Sequence, residues 1–243
     1  MAAHSLSIFF PCHNEEANVE RVARAALTVA ASLAGDFEVI IVDDGSRDRT
    51  AELAEGLRRE DPEHIRIVRH ETNRGYGAAL ASGFRAATKE LVFYTDGDGQ
   101  FDLGELPRLL PLIERYDIVS AFRVNREDPF FRHVNAACWG ALVNFLFRMR
   151  VRDVDCAFKL YRREMFDRME LESTGALIDT EILAKALRLG YTITQIGVRH
   201  YPRLAGRQTG ANLRVILRAF RELFRLHRRI RETMPRERGV PKT

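Results

Sequence analysis

Short apolar runs alternate with longer amphipathic stretches through the first hundred residues. LSIFF, FEVIIV, IRIV and LVFYT are separated by residues 16–33, 49–60 and 76–87, in which apolar positions recur at helical spacing. The alternation predicts a βαβαβαβ unit. Runs such as FEVIIV are apolar on both faces, which suits strands of a parallel sheet covered by helices on each side. The expected fold is α/β, a Rossmann-like, mostly parallel sheet flanked by helices.

Beyond residue 100 the pattern predicts a strand at DIVSAF, a polar stretch RVNREDP, and a mostly apolar segment at 134–147. With about 14 residues interrupted by Asn135 and Asn144, that segment reads as a buried or interfacial helix and not as a membrane span. CAFKLY reads as a strand, 180–189 as a helix ending at Gly190, and YTITQIGV as another strand. Asp48 before RTAELAEGL is a helix-start signal, and Asp102 with Glu105 three residues on has the pattern of a capping box before LPRLLPLIE.

The C-terminal stretch 213–230 places Leu213, Ile216, Leu217, Phe220, Leu223, Phe224 and Ile230 at helical spacing. Arg214, Arg218, Arg221, Arg225 and Arg228 repeat on another face. Such an amphipathic helix either lies in a membrane interface, with its arginines on anionic head groups, or packs on the domain with a solvated basic face. The expected organisation is a catalytic domain over 1–210 and a basic C-terminal helix and tail over 211–243.

Composition narrows the class. At 243 residues with 46% hydrophobic and 30% charged positions, the chain falls outside the disordered, collagen-like and disulfide-scaffold classes. Cys12, Cys138 and Cys156 are too few and too scattered for a disulfide framework or a metal-ligand pair. The N-terminus lacks the basic start and apolar core of a signal peptide, so the expected location is cytoplasmic. The net charge of +4 is unevenly distributed: residues 199–243 carry thirteen Lys/Arg against Glu222, Glu232 and Glu237, a net +10, and the first 198 residues carry −6. A basic end of that size implies an anionic partner, either nucleic acid or an acidic membrane surface.

The chemistry concentrates at predicted strand ends. LVFYTDGDGQFD ends an apolar strand in Asp96, Asp98 and Gln100, and on an extended chain oxygen donors at i, i+2 and i+4 converge on one side. Hard divalent cations take such ligands, and Mg²⁺ usually completes its shell with substrate phosphates. Gly97 and Gly99 are expected to clear space for a phosphate. Asn14 and Glu15 follow the first strand and Asp43, Asp44 and Ser46 end the second, so all five face the crevice where open α/β sheets bind ligands. Asn14 also fits a helix cap. No GxxxxGK[ST] is present and PCHNE stands where a dinucleotide fold has GxGxxG, which argues against a P-loop enzyme or a dinucleotide dehydrogenase.

FFPCHNEEANV, IVDDGSRDRT, NRGYGAAL and TDGDGQFD, in that order, resemble a family 2 glycosyltransferase with the GT-A fold. VSAFR, FFRHVNAACWGALVNFLF, VRDVDCAFKLYRRE, DTEILAKALRLGY and HYPRLAGRQTG are similar to the branch that includes dolichyl-phosphate mannose synthase and polyprenyl-phosphate glycosyltransferases. The resemblance implies that Pro11, Asn14, Glu15 and Asp44 line a nucleotide pocket, supported by Asp43 and Ser46. It implies a Mg²⁺ or Mn²⁺ ion on Asp96, Asp98 and Gln100, and Arg203 on the donor diphosphate. Arg123 and Arg132 match residues that hold an acceptor phosphate and, with Asp98, make up the expected catalytic set.

The implied partners are a UDP- or GDP-linked sugar, a polyprenyl phosphate and an anionic membrane on its cytoplasmic face, with no nucleic acid expected. A hydroxyl acceptor needs a general base, whereas a phosphate monoester with a second pKa near 6 arrives already ionised. The expectation is single displacement with inversion at the anomeric carbon. A hydroxyl acceptor with Asp179 or Glu181 as base is the alternative, and in a helix those two also fit a start signal and a surface charge. Asp153 and Asp155 are candidates for supporting roles. A nucleotidyltransferase or a nucleic-acid-binding protein are the more distant readings.

Overall fold

The apolar runs become seven strands of one sheet. In chain order the elements are β1 (Leu6–Cys12), α1 (Val19–Leu33), β2 (Phe37–Asp43), α2 (Thr50–Glu60), β3 (Ile65–Arg69), α3 (Tyr76–Ala86), β4 (Leu91–Thr95), α4 (Leu110–Ile113), β5 (Ile118–Val124), α5 (Phe130–Phe147), β6 (Phe158–Arg162), α6 (Ile178–Arg188), β7 (Ile193–Arg199) and α7 (Leu213–Thr233). This computed structural model describes residues 4–124, 130–202 and 213–234.

The strand order is β3-β2-β1-β4-β6-β5-β7. All neighbours pair in parallel except β6, which is antiparallel to both β4 and β5. β1 and β4 are buried at every position, as strands covered on both faces must be. From β1 the chain steps outward to β2 and β3, then α3 carries it back to β4 on the other side of β1. Because such crossovers are right-handed, this reversal puts α3 on the face opposite α1 and α2 and opens a crevice between the ends of β1 and β4.

Two local expectations are corrected. Asp102 does cap, its Oδ1 accepting from the Gly104 N–H at 2.9 Å, but it opens a 3₁₀ turn over Leu103–Arg108 and only a four-residue α4 follows. Pro107 and Pro111 remove the N–H groups a longer helix would use. The Glu105 carboxylate does not reach back to close a capping box; it accepts from the Arg199 N–H at 2.9 Å.

The C-terminal helix forms, and it spends its main apolar stripe on packing. Leu223, Leu226 and Ile230 are buried where α7 meets α5 and α6, while Phe220 and Phe224 stay exposed. Leu223 and Ile230 are therefore unavailable to a membrane. Among the described residues no helix is long and apolar enough to cross one.

Candidate active site

The loops after β1 and β2 brace each other. Asn14 adopts a left-handed backbone (φ 57°), a conformation in which Asn is among the better-tolerated residues. Its N–H donates to Ser46 Oγ at 3.0 Å and its Oδ1 accepts from the Arg47 N–H at 2.8 Å. Asn14 is thus a cross-brace and not a helix cap; the helix begins after Asn18. Asp43 is fully buried, and its Oδ1 accepts from the Ser46 N–H at 3.0 Å, so it shapes the same turn from below. Glu15 is tied in through its N–H to Thr50 Oγ1 at 2.8 Å and through its carboxylate, which accepts from Asn18 Nδ2 at 2.8 Å. Asp48 accepts from the Thr50 N–H at 3.0 Å, consistent with its reading as a helix-start signal.

Asp44 is buried at the centre of this construction. Its carboxylate accepts from His70 Nδ1 at 2.6 Å, from the Arg74 N–H at 2.8 Å and from the Gly75 N–H at 2.9 Å. These bonds bring the NRGYG segment at the start of α3 against the end of β2. Pro11, Asn14, Glu15, Asp44, Asp96 and Asp98 together line one cleft of about 600 Å³ at the reversal point of the sheet.

The acidic loop after β4 forms the far wall. Tyr76 Oη donates to Asp96 Oδ1 at 2.9 Å, and Asp98 Oδ1 accepts from the Gln100 N–H at 3.1 Å. Burial pushes the Asp96 carboxyl up, the Asp98 charge pushes it further, and despite the Tyr76 bond it reaches about 7. A buried carboxyl raised by its neighbour's charge in this way belongs to a donor set that a hard cation would relieve. Among the described residues no group of three or more His, Cys, Asp and Glu side chains could hold a metal ion, so any ion here would take its remaining ligands from elsewhere.

Gln100 departs from the expected alternation. Gly99 is left-handed (φ 69°), which breaks the extended run. The Gln100 amide donates from Nε2 to the Tyr201 carbonyl at 2.8 Å, and the Tyr201 N–H donates back to the Gln100 carbonyl at 2.8 Å. Gln100 therefore ties the acidic loop to the segment leading to Arg203, while the cleft wall is formed by Asp96 and Asp98. The two glycines also have another reason than phosphate clearance. A Cβ on Gly97 would sit 2.5 Å from the Pro11 carbonyl oxygen, and one on Gly99 would strike the Arg21 guanidinium.

Residues 7–169 match the family model described as Glycosyl transferase family 2. The chain belongs to that family. An undecaprenyl-phosphate 4-deoxy-4-formamido-L-arabinose transferase of Enterobacter sp. (strain 638) is 31% identical over 169 residues, which are 69% of this chain and 52% of that protein. Glycosyltransferase AglD of Haloferax volcanii is 31% identical over 212 residues, 83% of this chain and 34% of that protein. The chain thus spans about half or less of the length of these curated relatives. Among solved structures, glucosyl-3-phosphoglycerate synthase from Mycobacterium tuberculosis in complex with Mn²⁺, UDP-glucose and phosphoglyceric acid superposes with a TM-score of 0.69 at 21% identity, covering 93% of this chain and 79% of that one. That likeness establishes the GT-A fold.

In this family 2 glycosyltransferase, Arg123, Asp153, Asp155, Asp179 and Glu181 are not among the described residues that line the cleft. Arg123, at the end of β5, holds Asp153 through two parallel bonds, Nε to Oδ2 at 2.7 Å and Nη2 to Oδ1 at 2.8 Å. Burial disfavours the Asp153 charge, but the Arg123 bonds outweigh it and hold that carboxyl below its ordinary value. Asp155 is pushed up to about 6 by burial and then by the Asp179 charge. The Arg132 side chain and all of Arg203 lie outside the described residues.

Asp179 and Glu181 are not surface charges. Asp179 is buried, accepts from Tyr94 Oη, and pairs with the fully buried Lys159 ammonium at 2.7 Å. Glu181, also fully buried, pairs with Lys185 at 2.6 Å and accepts from the Glu172 and Ser173 N–H groups at 3.0 and 2.7 Å. It fixes the loop whose Thr174 carbonyl receives the Gly77 N–H at 2.9 Å, and so it buttresses the first turn of α3 beside the cleft.

Sequence reasoning missed Tyr76, His70, Ser82 and Arg21. Tyr76 stands inside the quoted NRGYG motif and was legible as a neighbour of it. His70 and Ser82 carry no motif, and only the fold brings them to Asp44.

Proposed function

We propose that this chain catalyses inverting, metal-dependent transfer of a sugar from a UDP- or GDP-linked donor to a polyprenyl phosphate at the cytoplasmic membrane face. The observation that carries the reading is the state of the two candidate bases. Asp179 and Glu181 are buried and each is held by a lysine. An acceptor that arrives already ionised suits a site whose carboxylates are occupied in this way. The curated relatives named as undecaprenyl-phosphate transferases support the same acceptor class.

Asp44, fixed by three donors, would accept hydrogen bonds from the donor's base or ribose, with Pro11, Asn14 and Glu15 lining the same cleft. Asp96 and Asp98 would hold Mg²⁺ or Mn²⁺. When bound, that ion supplies positive charge to the departing diphosphate. Arg123 has two guanidinium edges, and Asp153 occupies one of them. The other edge has no partner among the described residues and would grip a phosphate, with Arg132 as its expected companion and Arg203 on the donor diphosphate. Holding two anionic groups in line with the anomeric carbon is the main work such a site has to do.

The test is incubation with Mg²⁺ or Mn²⁺, a panel of UDP- and GDP-sugars and a polyprenyl phosphate in detergent, followed by mass spectrometry and anomeric analysis of the extracted lipid. A hexose- or N-acetylhexosamine-sized gain, lost with chelator and inverted in configuration, is expected. Transfer only to hydroxyl acceptors, release of pyrophosphate, or a retained configuration would overturn the reading.

A further inference from the structure

Tyr76 opens α3, and the sugar-transfer reading gives it no part. Half-buried, it lines the acidic cleft with Asp44, Asp96 and Asp98, and its hydroxyl donates to Asp96 Oδ1 at 2.9 Å.

The chain on either side of Tyr76 is pinned. Just before it, the Arg74 and Gly75 N–H groups donate to the Asp44 carboxylate at 2.8 and 2.9 Å. Just after it, the Gly77 N–H donates to the Thr174 carbonyl at 2.9 Å. The turn has no room to shift toward that loop. A Cβ on Gly75 would sit 2.5 Å from the Thr174 carbonyl oxygen, and one on Gly77 would sit 2.3 Å from the Ser173 carbonyl oxygen. Gly75 is also left-handed (φ 98°), a conformation glycine adopts without steric cost. The loop that presses on the turn is itself held through the Glu172 and Ser173 N–H groups by the buried Glu181 carboxylate. Tyr76 therefore has a backbone fixed from two directions, and its phenol has a defined reach to Asp96.

The consequence of that reach follows from the chemistry of a carboxylate. The terminal torsion of an Asp side chain is broad, so a carboxylate held by nothing samples many orientations. A hydrogen bond to Oδ1 sets the plane of the group and, with it, the direction of Oδ2. Bonds of this kind orient metal-ligating carboxylates, and losing one typically costs about 10- to 100-fold in metal affinity. A phenol is a neutral donor at pH 7, so it supplies direction without placing a competing charge beside the cation.

We propose that Tyr76 is a positioning residue for the metal: its hydroxyl orients the Asp96 carboxylate, while the two amides that precede it orient Asp44. One turn of chain thus sets a carboxylate for the cation and a carboxylate for the nucleotide. The proposal rests on the reading of Asp96 as a metal ligand.

The test is Mn²⁺ titration of the full chain, followed by electron paramagnetic resonance with and without UDP or GDP, for wild type, Tyr76→Phe, Asp96→Ala and the double variant. Tyr76→Phe keeps the ring and removes the hydroxyl, and it should weaken Mn²⁺ binding by about tenfold. In the Asp96→Ala background the same replacement should change Mn²⁺ affinity by less than about twofold, because the group through which it acts is gone. UDP and GDP affinity measured in chelator, which reports on the Asp44 side of the turn, should stay within about twofold in Tyr76→Phe, with an unchanged far-UV circular dichroism spectrum. Wild-type Mn²⁺ affinity in Tyr76→Phe would overturn the proposal and leave the metal reading standing. So would an equal loss with and without Asp96, or a parallel loss of nucleotide affinity in chelator, either of which means that the ring or the turn acts as mere packing. A wild type that binds no Mn²⁺ under any of these conditions would overturn the metal reading and this proposal with it.

Discussion

His70 Nδ1 lies 2.6 Å from Asp44 Oδ1, and on the far side of the ring Nε2 lies 2.9 Å from Ser82 Oγ, all three residues being buried. A carboxylate accepts, so Nδ1 carries the proton, and Nε2 and the serine hydroxyl form the second bond. The chain Ser82–His70–Asp44 fixes the carboxylate from behind while the Arg74 and Gly75 amides fix it from the side.

Replacing His70 by Ala leaves Asp44 short of one donor in a buried site. A loss of about 1–3 kcal/mol in stability is expected, together with a several-fold weaker nucleotide affinity. Urea denaturation and calorimetric titration with UDP and GDP measure the two effects, and Ser82→Ala should show a smaller version of both. Unchanged nucleotide affinity in a folded His70→Ala protein would remove this chain from the account of the site.

Asp96→Asn and Asp98→Asn should each weaken Mn²⁺ binding by tenfold or more, because a neutral amide is a poor substitute for a carboxylate toward a hard cation. Gln100→Ala should leave Mn²⁺ affinity within a few-fold, since its amide is bonded to Tyr201. Mn²⁺ titration followed by electron paramagnetic resonance distinguishes these, and a Gln100→Ala loss as large as Asp98→Asn would restore the three-ligand arrangement.

Glu38 gives the pH dependence a definite sign. Burial raises its pKa, but bonds from Arg66 (2.6 Å), Ser7 (2.7 Å) and Thr88 (2.7 and 2.8 Å) outweigh burial and lower it. A carboxylate with a depressed folded pKa contributes stability above its unfolded value, about 4.3, and loses it as pH falls through the folded value. Glu38→Gln should therefore be less stable than wild type at pH 7, with the gap narrowing below about pH 4. Urea midpoints measured from pH 3 to 7 check this.

Lys159 and Asp179 form an ion pair with almost no solvent contact. Lys159→Met alone should cost about 3–5 kcal/mol because it strands a buried carboxylate, whereas Lys159→Met combined with Asp179→Leu should recover much of that loss. Additive losses in the double variant would mean that each residue acts on its own.

The order of strands and helices was written in the chain, because a parallel sheet covered on both faces requires continuous apolar runs and amphipathic connections, and both are local patterns. The same locality places Asn14, Asp44, Asp96 and Asp98 at strand ends. Their convergence follows from the reversal of strand order at β1, which the sequence of elements does not specify. Tertiary structure alone decided that Asp179 and Glu181 are buried, since their lysine partners lie on β6 and one helical turn away, and exposure is set by what packs over a helix. It alone turned Gln100 toward Tyr201, through the left-handed Gly99. It also divided the apolar residues of α7 between a packed stripe and two exposed phenylalanines, a partition that depends on where α5 and α6 lie and that helical periodicity by itself does not contain.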